Sequence, residues 1–302
     1  MHHASVLLAE TLDLLAPKKG ESVLDCTLGL GGHSEKLLSA IGSTGFLVGL
    51  DADRTNLKHA RDRLGQPENA LFLHTNFSTL PDCLPEDHQT FDCILADLGL
   101  SSPHIDDASR GFTFRTDAPL DMRYDRERGL MASHYIQSID QKKLFTILKE
   151  YGELPRVPAL LRAILARRSS TRIRTSFDLV EVAKDVYRHD AKKFLPQIFQ
   201  AIRIAVNDEI ASLEHFLLVA PTLLSAGGRL VIISYHSLED RPVKEAFRAL
   251  TKDTTDPLTG AVVSASTYAL LTKKPVKPTD EEVRRNPRAR SAILRAIIKK
   301  KV

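Results

Sequence analysis

Four short apolar runs, "SVLDCT", "GFLVGLD", "ALFLHT" and "FDCILADL", recur within the first hundred residues, and two stretches of helical spacing, "GGHSEKLLSA" and "DRTNLKHARDRL", separate the first three. Runs of this length with little polar alternation suit strands covered on both faces. Parallel strands cannot be joined by a hairpin and need a crossover, usually a helix. The alternation therefore predicts βαβ units and an α/β, Rossmann-like sheet. Further strands are expected at "GGRLVIIS" and "SAILRAIIKK". Ahead of the first strand, "SVLLAETLDLL" predicts a helix with Ser5 as its N-cap.

After Asp97 the pattern stops. The stretch "GLSSPHIDDASRGFTFRTDAPLDMRYDRERG" is polar, broken by Gly and Pro, and has no period. A loop this long inside a compact domain is usually either functional or disordered. From about residue 133 to 200 the spacing is mostly helical, as in "DQKKLFTILKEYG", "VPALLRAILARR" and "SFDLVEVAKDVYR". The economical division is a sheet domain of residues 1–102 and 206–302, interrupted by a helical insertion at 103–205.

Composition excludes several classes. With 43% hydrophobic and 26% charged residues, the 302-residue chain is globular and long enough to bury a core. No apolar run approaches the roughly 18 residues of a membrane span. The opening segment carries Glu10 and Asp13 and no positive charge before its apolar positions, a poor signal or transit peptide. Cys26, Cys83 and Cys93 are odd in number with no CxxC, which predicts free thiols and a cytoplasmic protein. No His/Cys/Asp cluster has metal-ligand spacing, so no metal is expected. The net charge of +4 is uneven: 11 Lys and Arg against three acids fall between Lys273 and Val302. A second run, "RAILARRSSTRIRT", holds Arg162, Arg167, Arg168, Arg172 and Arg174 and no acid. One such run is ordinarily a solvated face. Two on a nearly neutral chain favour an anionic polymer as partner.

The stretch "VLDCTLGLGGHSEKLL" runs from a strand through Gly29, Gly31 and Gly32 into a helix. In open parallel sheets ligands bind beyond the carboxyl ends of the strands, where this loop belongs. A dinucleotide site would read GxGxxG, but Ser34 stands in the third glycine position. Asp25 closes the strand, an odd neighbour for phosphate and a good one for a cationic ligand with an amino group. S-adenosylmethionine has a sulfonium, an ammonium and a ribose, and no phosphate. Asp51, 20 residues after Gly31, could take the ribose hydroxyls. A plain tight turn remains the bland alternative. "CILADLGLSSP" delivers Asp97 to the same edge, as the wall of an acceptor site or as an ordinary turn aspartate.

The blocks "LDCTLGLGGHSEKLL", "ADLGLSSP", "RGFTFRTDAPLDMRYD", "SYHSLEDRPVKEAFR" and "KPTDEEVRRNPRARSAILRA", with the opening "HASVLLAE", together resemble the bacterial ribosomal RNA small-subunit methyltransferase H family, also called MraW. They span nearly the whole chain in the family's order. The resemblance implies a class I S-adenosylmethionine-dependent methyltransferase sheet with an inserted helical domain, acting on the N4 amine of a cytidine in the decoding region of 16S rRNA. The implied partner is 16S rRNA or the small ribosomal subunit, with no membrane; monomer and homodimer both stay open. Carried over by motif, the donor site comprises Gly31, Gly32, His33, Asp51, Phe77, Asp97 and His104, the last at a position often glutamine in the family. On their own, His33 reads as a helix cap, Phe77 as core and His104 as a surface residue. Tyr235 and His236 in "IISYHSLED" follow a buried strand at the same edge, though a turn histidine is the bland reading of His236.

The chemistry sets what the acceptor side must do. A cytosine N4 lone pair is delocalised into the ring, so acceptors for its N–H groups and alignment with the methyl carbon are needed. Asp97 and the following carbonyls are the expected acceptors, with Ser101 and Ser102 shaping the turn. The five insertion arginines and the basic C-terminal segment are expected on RNA phosphates. Phe112 and Phe114 are expected either at the target base or folded onto the sheet edge. Competing readings are a methyltransferase for another amine, a non-catalytic ribosome-assembly RNA-binding factor, and an NAD-dependent oxidoreductase, which Ser34 disfavours.

Overall fold

The computed structural model describes residues 5–256 and 258–301; His3 and Ala4 of the "HASVLLAE" block lie outside them. The chain divides into two compact units, residues 1–99 with 211–302 and residues 100–210.

The first unit is a seven-stranded sheet flanked by helices. In chain order its amino-terminal part runs α1 (Leu8–Leu15), β1 (Ser22–Asp25), α2 (Gly32–Ile41), β2 (Phe46–Asp51), α3 (Arg54–Leu64), β3 (Ala70–His74) and β4 (Phe91–Asp97). The four apolar runs are thus β1 to β4. The strand expected at "GGRLVIIS" is part of β5 (Leu224–Ser234), longer than the motif. The strands lie in the order β3-β2-β1-β4-β5, all parallel. This is the doubly wound arrangement, whose direction reverses between β1 and β4. Registers such as Asp25 with Leu95 and Asp97 with Ile233 bring the carboxyl ends of β1, β4 and β5 to one edge.

Each strand feeds two cores because successive side chains point to opposite faces. Leu24, Val48, Ile94 and Ile232 meet Phe216 and Phe247 on one side; Val23, Leu47, Leu95 and Val231 meet Leu15, Leu37 and Leu57 on the other. The three cysteines are free, and burial pushes the Cys93 thiol up to about 12.

One terminal feature differs from expectation. The first helix starts at Leu8, not after Ser5, and Glu282 Oε1 accepts the Leu7 N–H at 2.7 Å. Ser5 instead lies against Gly32, where a Cβ would come within 2.1 Å of its Oγ. The basic C-terminal segment is part of the fold. Between β5 and that segment lie α11 (Ser237–Leu250), a hairpin of β6 (Thr254–Thr255) and β7 (Val262–Ser264), and β8 (Tyr268–Leu270). The expected "SAILRAIIKK" strand is β9 (Ile293–Lys299), which runs antiparallel between β5 and β8. Within it Arg295 forms a two-pronged pair with Asp240 at 2.6 and 2.8 Å. Among the described residues, no helix is long and apolar enough to cross a membrane.

The second unit is helical: α4 (Ser102–Asp106), α5 (Ala132–Ser138), α6 (Gln141–Thr146), α7 (Val157–Ser170), α8 (Ser176–Tyr187) and α9 (Ala191–Asn207), with the chain leaving it inside α10 (Glu209–Val219). Leu120, Ile136, Leu144, Leu160, Ile164, Leu179, Ile198 and Ile202 are buried at its centre. The long polar loop supplies part of that core. Phe112 is buried against His104 and Tyr124, with ring centroids 5.8 Å or less apart, and Phe114 meets Phe199 edge-on. These two rings fasten the loop within the helical unit rather than onto the sheet edge. Arg110 Nη2 donates to the carbonyls of Arg123 and Tyr124, satisfying backbone acceptors that burial would otherwise strand.

Candidate active site

The loop from β1 to α2 needs glycine twice. Gly29 and Gly31 have φ of +53° and +76°, a left-handed region costly for other residues. Asp25 holds the loop from beneath. It is 1% exposed, and it accepts the Thr27 N–H at 3.1 Å and the Ser34 hydroxyl at 2.6 Å. Burial raises its proton affinity against the pull of those bonds. Ser34, in the third glycine position, thus ties α2 to β1. The carboxylate that the sequence offers to a cationic ligand is turned inward, with both oxygens engaged.

Asp51 closes β2 and faces the same loop. Its Oδ2 accepts the Gly29 N–H and its Oδ1 the Asp53 N–H, both at 2.7 Å, and Asn56 Nδ2 reaches both oxygens at 3.3 Å. Burial pushes this carboxyl up to about 7, the hydrogen bonds pulling the other way. The two 3.3 Å contacts of Asn56 are the longest of these, so a ligand hydroxyl would compete with Asn56 for the ionised carboxylate. Phe77 sits in the single turn after β3, half-buried, its ring set edge-on to Phe216 at 5.2 Å.

Asp97 closes β4. Its N–H donates to Thr27 Oγ1 at 2.6 Å, which fixes the strand end to the glycine loop. The Tyr235 hydroxyl donates to Asp97 Oδ1 at 2.7 Å. His33 Nε2 stands 3.6 Å from Asp97 Oδ2, too far for a hydrogen bond. Only 7% of His33 is exposed, and among the described residues neither ring nitrogen has a hydrogen-bond partner. Buried polar atoms are ordinarily satisfied, which makes His33 a candidate to meet a ligand atom. Tyr235 follows β5, and Glu239 fixes it by accepting its N–H at 2.8 Å while also facing His236 at 3.1 Å.

Gly99, at φ +123°, passes close over the Tyr235 ring, where a Cβ would come within 2.9 Å of Cδ2. Gly99→Ala should therefore cost about 1 kcal/mol or more through backbone strain and displacement of the ring. Chemical denaturation should show a lower midpoint; an unchanged midpoint would contradict the close packing.

The structure thus gathers Gly31, Gly32, His33, Asp51 and Asp97 at the carboxyl edge of β1, β2 and β4, with Phe77 following β3. Ser101, Ser102 and His104 belong to the helical unit. There the Ser101 N–H donates to His104 Nδ1 at 3.2 Å and closes a capping box on α4, and the His104 ring is 4% exposed between Phe112 and Tyr124. The arginine cluster divides in two. Arg162, Arg172 and Arg174 are exposed, whereas Arg167 pairs with Asp178 at 3.1 Å and Arg168 donates to the Ile139 carbonyl at 3.0 Å. Tyr235 is the main group the motifs left out of the site; its position after a buried strand at the binding edge was the available signal.

The candidate donor set consists of carboxylates, backbone and a histidine without a partner among the described residues, and no Lys or Arg stands in residues 25–35. That suits a ligand with hydroxyl and ammonium groups and suits pyrophosphate poorly. S-adenosylmethionine fits this chemistry.

A profile of the MraW methylase family matches residues 1–300. A relative from Clostridium botulinum (strain Kyoto / Type A2) is 41% identical over 304 residues, covering 97% of each chain. Others from Halothermothrix orenii, 38% identical over 98% of this chain and 97% of the relative, and Symbiobacterium thermophilum, 39% identical over 99% and 96%, are similar throughout. All three relatives are named ribosomal RNA small subunit methyltransferase H.

Proposed function

The chain belongs to the MraW methylase family, and from that premise we propose that it methylates the N4 amine of a cytidine in the decoding region of 16S ribosomal RNA. The methyl donor is S-adenosylmethionine, and the site of action is the cytoplasm. The observation that carries the acceptor reading is Asp97, a carboxylate delivered by β4 to the donor loop, 22% exposed, with Oδ2 accepting no hydrogen bond among the described residues.

When bound, S-adenosylmethionine supplies an electrophilic methyl group on a sulfonium that departs as a neutral thioether. The chain's residues do the rest. Gly31, Gly32 and His33 line the donor pocket, Asp51 accepts the ribose hydroxyls, and the half-buried Phe77 offers a face for the adenine. Asp97 accepts an N4–H through Oδ2, which turns nitrogen density toward the methyl carbon, and the same carboxylate takes the proton that the nitrogen must shed. An acceptor of this kind acts on charge that develops only in the transition state. Ser101 and Ser102 shape the turn after β4, and His104 stiffens it. The target base must be unstacked before N4 is reached.

Arg162, Arg172 and Arg174 hold the surrounding phosphates, with the exposed bases of the C-terminal segment. Because Arg167 and Arg168 serve the helical unit's own packing, the salt test belongs on the exposed pair. Neutralising Arg172 and Arg174 together should flatten the slope of log K against log salt by about one to two units, with donor binding unchanged. An unchanged slope would make the pair a solvated surface.

The function itself is tested by mass mapping of 16S rRNA from cells with and without this protein. Loss of one N4-methylated cytidine is expected. Intact methylation, or loss of a methyl group from another base or from a protein, would overturn the assignment.

A further inference from the structure

We propose that Tyr235 is a positioning residue for methyl transfer: its hydroxyl pins one oxygen of Asp97 so that the other is left facing the amine. The inference rests on the reading of Asp97 as the amine acceptor.

The geometry has three parts. First, Asp97 is held at both ends, its N–H on Thr27 Oγ1 at 2.6 Å and its Oδ1 under the Tyr235 hydroxyl at 2.7 Å. A carboxylate otherwise turns about two side-chain bonds, and one hydrogen bond from a fixed donor removes that freedom. Second, Tyr235 is itself fixed. Its backbone N–H is bonded to the buried Glu239, and Gly99 closes against its ring. Third, the oxygen left over, Oδ2, has His33 at 3.6 Å and accepts no hydrogen bond among the described residues. The arrangement therefore separates the two oxygens, one for structure and one for substrate.

The phenol is suited to hold rather than to react. Burial, and then the charge of Asp97, push its ionisation well above the ordinary phenol value. It keeps its proton at any working pH and remains a donor. A ring that merely filled space would not need its hydroxyl, so Tyr235→Phe separates the two roles.

The test compares Tyr235→Phe, Asp97→Asn and the double variant by single-turnover rate, donor and RNA dissociation constants, and the ring ¹³Cζ resonance of Tyr235. Tyr235→Phe should keep both affinities within about twofold and lose roughly tenfold or more in rate, the usual size of a hydrogen bond to a charged group. The double variant should be no slower than Asp97→Asn alone, because Tyr235 acts only through Asp97. The Tyr235 resonance should move in Asp97→Asn, a readout independent of activity that holds even if Tyr235→Phe fails to fold. Full rate in Tyr235→Phe, losses that multiply in the double variant, or an unmoved resonance would overturn the inference and leave the Asp97 reading standing. Normal turnover in Asp97→Asn would overturn both.

Discussion

Replacing Asp97 by Asn is expected to lower the single-turnover rate by roughly 10²–10³-fold while donor and RNA affinities change little. Asn keeps the volume of the side chain and an oxygen for the Tyr235 hydroxyl, so the strand end and its bond to Thr27 survive. What it loses is the charged acceptor. With the amide oxygen under Tyr235, an NH₂ group faces the amine, a donor facing donors. The deficit should therefore fall on the chemical step, since the contact strengthens as positive charge grows on nitrogen. A near-normal rate with saturating donor and RNA would remove Asp97 from the chemistry. A loss confined to affinity would make it a binding residue.

The second large effect is expected at Asp51. Asp51→Ala should weaken donor binding by about 1–3 kcal/mol, because ribose hydroxyls lose their acceptor and the Gly29 N–H loses its anchor. The pH dependence is the sharper test. Burial pushes this carboxyl up to about 7, and only its ionised form accepts at both oxygens without itself carrying a proton. Donor binding should accordingly be strongest above pH 7 and weaken as pH falls toward 6, approaching tenfold per unit, with a proton released on binding. Asp51→Asn should bind weakly at every pH and show no such slope. Calorimetry that finds pH-independent binding in the unmodified protein, or an unaltered slope in Asp51→Asn, would contradict this role.

The strands and the edge where the site lies were legible because buried parallel strands are short apolar runs, and an aspartate closing three of them marks their carboxyl ends. Local patterns cannot show pairings between distant segments. Tyr235 reaches Asp97 across 138 positions, and no spacing rule links them. Asp25 looked available to a ligand because it closes a strand at the binding edge; in three dimensions the Ser34 hydroxyl engages it. The arginine run looked uniform, yet Asp178, which accepts the Thr175 N–H in the capping box of α8, also draws in Arg167. The strand in the basic C-terminal segment was legible and is β9, but the sequence could not show that one of its bases, Arg295, is engaged by Asp240. Ser5 looked like a cap from its place before a helix, although the donor it was meant to satisfy is met by Glu282, 275 positions away.

The central claim is methyl transfer to a cytidine N4, and the most direct measurement follows the label. The purified chain is incubated with donor carrying an isotopic methyl group and with small ribosomal subunits or 16S rRNA, and the RNA is digested to nucleosides for mass spectrometry. The account predicts label in N4-methylcytidine at a single position, absent when Asp97→Asn replaces the unmodified protein. Label on a ring carbon, a ribose, another base or ribosomal protein, or no transfer at all by a chain that binds the donor, would contradict it.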